Sequence, residues 1–556
     1  MVKERSNMPV VDFPLSEIPR HFPLHKIDEV IDMLPFIGLD IEGIDDTVIR
    51  LEYSPNRPDF STYFGIIRSL RGMLGYEKGL PKITVLKRND HRIAIEKLTR
   101  TVRPYFQGLV AMRKNLDSET IKQLILMQED LHNGIGRRRL KASMGFHDFD
   151  KTKFPLKYTA VKSDKASFVP LGCDVKRSLD DILNLTEIGK KYRHLLEGSN
   201  YCPIIMDKYD DIISFPPIIN SELTRININT KNIFIEITGI YQHSVEDMTA
   251  NITYTLCDMG FQVETVLVSK SNEEQYCPHI VDNKFENISV DYVNSLLGLC
   301  LEPNDMIEYL RRCRLDGLLA DNKIQCVVPR FRTDILNPID LVEEVAIGYG
   351  IFNLEPLMPR HEGSGSKSAT TKIFDKLRQL LIGIGLIENL NFTLSNDTVQ
   401  NEFLNKTNKS NEIRVNNSKS REYEILRESL LPSLIRSLSR NVHEPYPQRL
   451  FEIGKVFMNE QVSERWHLCC VCAHSNSDYT EIKSILQTTM TVGLDIKIDT
   501  DAVRDDTFIE GRSAVVTTSN KSFGIIGEIS PLVIEKNKIR VPISAFELDL
   551  TTLVRI

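Results

Sequence analysis

Apolar side chains recur at helical spacing in several stretches of the chain. Ile66, Ile67, Leu70 and Leu74 form one such face. Ile121, Leu124, Ile125, Gln128 and Leu131 form a second, and Asp117 or Ser118 can cap the helix that carries it. Ile373, Leu377, Leu380, Leu381 and Ile384 predict a third helix, and Leu431, Leu434, Ile435 and Leu438 a fourth. Extended runs rich in β-branched and aromatic residues predict strands at 104–114, 203–206, 212–219 and 233–237.

Between about 285 and 355 the pattern predicts two short helices, a strand and a third helix. Ser289 caps the first of these, Pro303 opens the second and Gly317 closes it. The third starts at Asn337-Pro338, a good N-cap followed by a good first helical residue. Ser54-Pro55-Asn56-Arg57-Pro58-Asp59 resists regular structure because of its two prolines. His91-Arg92 reads as a boundary, and residues 361–368 (HEGSGSKS) read as a linker. No repeat recurs at a fixed period, which argues against a solenoid.

Length and charge narrow the class. The chain has 556 residues, enough for about three to five domains. It carries 41% apolar and 26% charged residues, ordinary globular usage. Its formal net charge of −7 leaves no global field for holding nucleic acid, so any such contact rests on local patches. One patch exists: residues 121–165 hold ten Lys or Arg against five Asp or Glu. Ten scattered cysteines do not make a secreted disulfide scaffold. The polar start lacks a signal-peptide core, and apolar runs such as 380–386 are too short to cross a bilayer. A cytoplasmic multidomain protein is expected.

Four constellations could carry chemistry. In residues 332–344 (RTDILNPIDLVEE), Asp340 falls in a first helical turn, and Glu343 and Glu344 lie over the same face. Asp334 can turn toward them from the preceding loop. Four carboxylates in one small volume repel unless a cation intervenes, and hard oxygen ligands suit Mg²⁺. The simpler reading is that acids in a first turn complement the helix dipole. Arg137, Arg138, Arg139 and Lys141 can grip RNA phosphates or form a solvated turn. Cys469, Cys470, Cys472 and His474 look like soft metal ligands, but successive strand residues point to opposite faces, so Cys469 and Cys470 cannot both face one ion and a buried strand is expected. Residues 363–368 lack phosphate-loop spacing. No G-x-S-x-G or H-E-x-x-H motif occurs.

Seven segments in order carry a resemblance: 56–59 (NRPD), 131–148 (LHNGIGRRRLKASMGFHD), 214–224 (SFPPIINSELT), 332–349 (RTDILNPIDLVEEVAIGY), 427–434 (RESLLPSL), 451–456 (FEIGKV) and 523–531 (FGIIGEISP). Together they resemble the β-subunit family of phenylalanyl-tRNA synthetase, in its archaeal and eukaryotic-cytosolic form. The resemblance implies an ATP-dependent ligase of phenylalanine and tRNA(Phe) (EC 6.1.1.20) built as an α₂β₂ tetramer. The aminoacylation site would lie in the α subunit, so no residue of this chain is assigned to that chemistry.

The fold it implies is α+β and multidomain. Residues 1–95 would be an N-terminal α/β domain and 100–270 an α/β editing domain. Residues 280–356 would be a small helical, DNA-binding-like domain, and 370–556 a catalytically degenerate class II synthetase-like antiparallel sheet with helices. A bacterial-type C-terminal anticodon-binding domain is not expected. The family's Mg²⁺ ligands match Asp334, Asp340, Glu343 and Glu344. Editing candidates are Asn220, Ser221, Glu222 and Tyr241, and tRNA-contact candidates are Arg137, Arg138, Arg139 and Lys141.

One departure stands out. Relatives carry an acid in a T-G-T-D-like turn where this chain reads Thr238-Gly239-Ile240-Tyr241, which implies attenuated editing. Editing itself has a physical motive. Tyrosine differs from phenylalanine by one hydroxyl, which an apolar pocket rejects only ~10²-fold.

Two other classes compete. A nucleic-acid-binding regulator would use 285–355 as a helix-turn-helix, yet the third helix begins NPIDLVEE, which is acidic where a recognition helix should be basic. A stand-alone deacylase would need no α partner. No membrane or DNA contact is expected.

Overall fold

The computed structural model describes residues 8–113, 116–270, 273–277, 283–321, 323–358, 363–405, 412–459, 463–518 and 521–551. The first residues of the 361–368 linker lie outside these. The chain divides into two compact units, Met1–Leu357 and Met358–Ile556.

The first unit begins with a three-stranded antiparallel sheet in the order Val10–Pro14, Val48–Tyr53, Leu39–Ile44. Helix Tyr63–Met73 packs Ile66, Ile67 and Leu70 into its core, as their spacing predicts. The Asn56-Arg57-Pro58-Asp59 segment does form a short 3₁₀ turn, Pro58–Ser61. Its Asp59 is buried and held by both arms of Arg57 at 2.9 Å.

An 11-stranded mixed sheet follows. One end of it places Gln262–Lys270, Tyr105–Met112, Asn232–Gly239 and Ala142–Asp148 side by side, the last at the edge. Strands Val85–Leu86 and Arg92–Ile95 pair in parallel with Gln262–Lys270, so residues assigned by sequence to the N-terminal domain belong to this sheet. The predicted strand 212–219 is two strands, Ile212–Phe215 and Ile219–Asn220, because Pro216-Pro217 cannot donate to a ladder.

Asp117 caps helix Ser118–Asn133 by accepting from the Thr120 N–H at 2.7 Å. The buried face of that helix is rotated from the predicted one. Leu124, Met127 and Leu131 enter the core, whereas Ile125 is exposed to 46%.

Residues 283–351 hold three helices, Val290–Leu297, Pro303–Arg312 and Pro338–Tyr349. They also hold a three-stranded antiparallel sheet, Lys284–Ser289, Lys323–Val328 and Asp316–Ala320, which corrects the small helical reading. The hairpin turn uses Asp321 at φ 49°, a conformation that Asp tolerates and an apolar-periodicity argument does not register. Gly317 does not close the second helix. That helix ends at Arg312, with Arg314 in the left-handed region (φ 63°), and Gly317 lies within a strand. A Cβ at Gly317 would approach the Ile324 side chain to 2.8 Å.

The second unit is built on a seven-stranded sheet. Strands Gln448–Met458, Ser463–Ala473, Ile543–Asp549, Lys521–Ile529, Phe508–Thr518 and Asp499–Ala502 are antiparallel, and Ile387–Glu388 adds in parallel at one edge. Cys469, Cys470 and Cys472 lie in the buried half of strand Ser463–Ala473. Cys470 and Cys472 face one core, with Leu377 and Leu381 of helix Ala369–Gly383. Cys469 faces the other, with Leu431, Leu434, Ile435 and Leu438 of helix Leu431–Arg440. Alternation along one strand thus serves two cores.

Candidate functional site

The first unit holds a cavity of about 670 Å³, within the range of ligand sites. Ile121, Ile125, Gln128 and Glu129 of helix Ser118–Asn133 line one wall. The face that fails to join the core therefore lines the pocket instead. Residues 214–221 form another wall, and the strand Asn232–Gly239 supplies Glu236.

Glu236 is 2% exposed. It sits opposite Gly145 on the neighbouring strand, and a Cβ on Gly145 would fall 2.8 Å from both Glu236 Oε1 and Asn220 Oδ1. Glycine is what lets these groups converge. Ser214 Oγ donates to Glu236 Oε1 at 2.9 Å and lies 3.2 Å from Asn220 Oδ1, while Asn220 Nδ2 donates to the Phe146 carbonyl at 3.2 Å. Glu236 Oε2 has no hydrogen-bond partner. Burial pushes the Glu236 carboxyl up to about 7, against smaller opposing effects of Ser214 and Arg103. A buried oxygen left without a donor is costly, of order 1–3 kcal/mol, and Glu236 Oε2 carries that cost.

The sequence candidates separate around this pocket. Asn220 and Ser221 line it. Glu222 does not: its Oε2 accepts from the Gly172 N–H at 2.8 Å and its Oε1 from Arg225 at 3.1 Å. Tyr241 is 53% exposed, with the Lys141 ammonium 5.2 Å from its ring centroid. It does not line the cavity, so the acid missing from that turn leaves the pocket's own acid in place. Glu236 escaped the sequence reading, although a lone acid inside Ile233-Phe234-Ile235-Glu236-Ile237 was a visible signal. His147 escaped it too. Burial lowers its pKa to about 3, and its Nδ1 lies 2.8 Å from the hydroxyl of Thr224, which lines the pocket.

The basic cluster also divides. Arg137, Arg138 and Arg139 all adopt positive φ, at 48°, 54° and 66°. This left-handed turn sends Arg139 into the pocket wall. There it donates to the Pro217 and Ile218 carbonyls (3.3 and 3.1 Å) and to Glu129 (3.0 Å), over the Tyr192 ring. Arg137 and Arg138 remain exposed.

The four carboxylates of 334–344 meet a different neighbour. Arg332 is 2% exposed; it donates to both oxygens of Asp334 (2.7–3.2 Å) and to both oxygens of Glu344. Burial would raise Asp334, yet the Arg332 guanidinium outweighs it and holds that carboxyl at about 2. Asp340 caps its own helix, accepting from the Leu336 and Asn337 N–H groups at 2.8 Å. Glu343 is exposed, and its pKa is raised by partial burial and by Glu344, Asp340 and Asp334. Among the described residues, no three His, Cys, Asp or Glu side chains are arranged to hold a metal ion. The cation that Asp334 and Glu344 meet is Arg332.

Comparison with known proteins decides the family. The chain is 37% identical over 546 residues to the phenylalanine–tRNA ligase β subunit of Archaeoglobus fulgidus, covering 98% of each chain. It is 34% identical to that of Methanocaldococcus jannaschii, covering 98% of this chain and 100% of the relative. The chain belongs to the phenylalanine–tRNA ligase β-subunit family. It is accordingly part of a ligase, EC 6.1.1.20, of protein biosynthesis. Two family models match within it: the phenylalanyl tRNA synthetase beta chain CLM domain over residues 354–550 and the tRNA synthetase B5 domain over 287–351. A solved N-terminal fragment of the phenylalanyl-tRNA synthetase β subunit from Pyrococcus horikoshii is 31% identical. It covers 62% of this chain and 100% of its own, with a TM-score of 0.57. The fold is that of the β subunit, with mixed sheets and helices. No described helix is long and apolar enough to cross a membrane.

Proposed function

We propose that the chain works with a phenylalanine–tRNA ligase α subunit, as an α₂β₂ assembly in the cytoplasm, and that its first unit removes tyrosine wrongly joined to tRNA(Phe). The observation that carries the editing reading is Glu236 Oε2, a buried acceptor without a partner in a pocket of about 670 Å³. A tyrosyl ring entering beside Ile121, Ile125 and Phe146 would place its hydroxyl to donate to that oxygen. Phenylalanine would leave the oxygen unpaired, and a site built to bond a hydroxyl discriminates by up to ~10⁴–10⁵. Ser214 and Asn220 fix the acid, and His147, neutral because it is buried, orients Thr224.

The exposed Arg137 and Arg138 are the residues suited to tRNA phosphates, while Arg139 is committed to the pocket wall. Replacing both with Ala should reduce the salt slope of tRNA binding by up to ~1 per lost contact.

The second unit supports a degenerate class II-like core that does not charge tRNA. Its buried ionic groups serve one another: Arg427 pairs with Glu452 at 2.6 Å, and Glu547 takes Ser429, His467 and two backbone N–H groups. Mg²⁺ fits the 334–344 cluster in donor type. With Asp334 and Glu344 on Arg332, the larger share would fall to Asp340 and Glu343, and the ion would neutralise charge at a docking face.

The deciding experiment is hydrolysis of tyrosyl- and phenylalanyl-tRNA(Phe) by the assembled enzyme. Wild type should prefer the tyrosyl ester by at least ~10²-fold, and Glu236→Ala should abolish most of that preference. Equal preference in both proteins would sink the assignment of Glu236.

A further inference from the structure

A cavity of about 610 Å³ in the first unit shares no wall residue with the Glu236 pocket. Helix Tyr63–Met73 gives it Arg68 and Arg71, and the segment that follows gives Glu77, Lys78 and Lys82. Asp258, the last residue of helix Gln242–Asp258, Arg314, just past helix Pro303–Arg312, and His21 complete its polar lining. Five Lys or Arg side chains thus line it with two acids, and Asp59 and Glu308 pair with Arg68 and Lys78 from outside the lining.

Two of the cations are deeply buried, Arg68 at 4% and Arg314 at 5% exposure. Arg68 Nε and Nη2 and Arg314 Nε have no hydrogen-bond partner. Arg68 is fixed by Asp258 on one arm and by the Phe331 ring, 4.2 Å from its guanidinium carbon. Asp59 stands 3.6 Å from its Nη2, too far for a hydrogen bond. Arg314 reaches Glu77 at 3.2 Å, but Glu77 also serves Arg71 at 2.9 Å. Lys78 is held by Glu308, and Lys82 has no ion-pair partner among the described residues.

The electrostatics agree with this geometry. Burial, with Arg68 and Arg71 close by, lowers the Arg314 pKa, although Glu77 and Asp258 oppose the shift. Water could satisfy the free N–H groups but could not offset the charge.

We infer that this cavity binds a phosphate-bearing anion, gripped by Arg68 and Arg314 and closed over by Arg71 and Lys82. A guanidinium fork matches phosphate oxygens in pairs, and a dianion offsets the surplus charge better than a single carboxylate does. The source is either a free phosphate compound or a phosphodiester of RNA. The inference is independent of the editing reading, since it uses none of that pocket's residues.

The test titrates the full-length chain with inorganic pyrophosphate in magnesium-free buffer, by calorimetry, against chloride at matched ionic strength. Saturable binding at one site is expected, weakened about tenfold or more by Arg314→Gln, which removes a charge-assisted contact. Lys82→Gln, an exposed position that should not disturb folding, should weaken it about threefold or more. Saturation with tRNA then separates the sources. Displacement of pyrophosphate assigns the cavity to an RNA phosphodiester, and simultaneous binding assigns it to a free phosphate compound. No saturable heat beyond the chloride control, or wild-type affinity in both variants, would overturn the proposal.

Discussion

Two acidic sites of the first unit treat their carboxylates in opposite ways. Around Arg332, Asp334 and Glu344 are each held by two or more hydrogen bonds to one guanidinium. In the pocket, Glu236 receives one serine hydroxyl and keeps its other oxygen unpaired. Burial raises both carboxyls, yet Asp334 ends near 2 beside its guanidinium and Glu236 near 7 without one. The difference teaches how to tell a structural acid from a receptive one. An acid neutralised from within the chain has its acceptors taken, and an acid left short of donors keeps a raised pKa and an open acceptor.

The largest effect expected from this contrast is that of Arg332→Met. It should cost about 3–5 kcal/mol, because removing one partner leaves buried carboxylates uncompensated. Urea denaturation measures it, and a loss below about 1 kcal/mol would show that the cluster does not depend on this guanidinium.

Glu236→Gln should act in the opposite direction at alkaline pH. The folded state raises the pKa of this acid from 4.5 to about 7, so folding takes up a proton between those values. The burden of Glu236 is absent below about pH 4.5, grows as pH rises, and is complete above about pH 7, where it reaches about 3 kcal/mol. Glu236→Gln should therefore gain stability over wild type at pH 8 and little at pH 4.5. A pH-independent difference would contradict the buried, underserved carboxyl.

Asp334→Asn gives the mirror image, somewhat smaller. A carboxyl held at about 2 against a usual 3.8 contributes stability that is full above pH 3.8 and lost as pH falls through about 2. The variant should be about 2 kcal/mol less stable than wild type at neutral pH, and the gap should close in that acid window.

Smaller still is the magnesium response. Glu343→Gln should reduce any rise in the thermal midpoint on adding Mg²⁺ while changing the midpoint in chelator little. Asp340→Ala lowers both midpoints, since Asp340 is also a helix cap worth ~1 kcal/mol. Identical Mg²⁺ responses in wild type and Glu343→Gln would leave Arg332 as the cluster's cation with no role for the metal. Smallest of all, Tyr241→Asp should alter stability by no more than about 0.5 kcal/mol and leave tyrosyl-tRNA hydrolysis within about twofold. A large gain in hydrolysis would return the missing acid to the mechanism.

The sequence by itself determined the helices whose faces pack against a core, their caps at Asp117, Ser289 and Asn337, and the family, since these rest on local spacing and ordered motifs. It also named Asn220 and Ser221, which line the Glu236 pocket. It misjudged positions where one stretch has two possible partners. Ile121 and Ile125 share the period of Leu124 and Leu131, and only the packed sheet decides that the former line a cavity and the latter a core. Gly317 resembles a helix stop because composition cannot reveal that Ile324 will press against it across a hairpin. The four acids of 334–344 called for a cation, but which cation is a long-range matter. The turn after Pro329 folds Arg332 back between Asp334 and Glu344, and no periodicity encodes that return. Glu236 is the sharpest case. Its strand was legible, whereas its meaning depends on Gly145, Ser214 and Asn220, brought to it by pairings across residues far apart in the chain. Non-local packing sets the dielectric and the donors around a carboxyl, and these decide whether the group is structural or receptive.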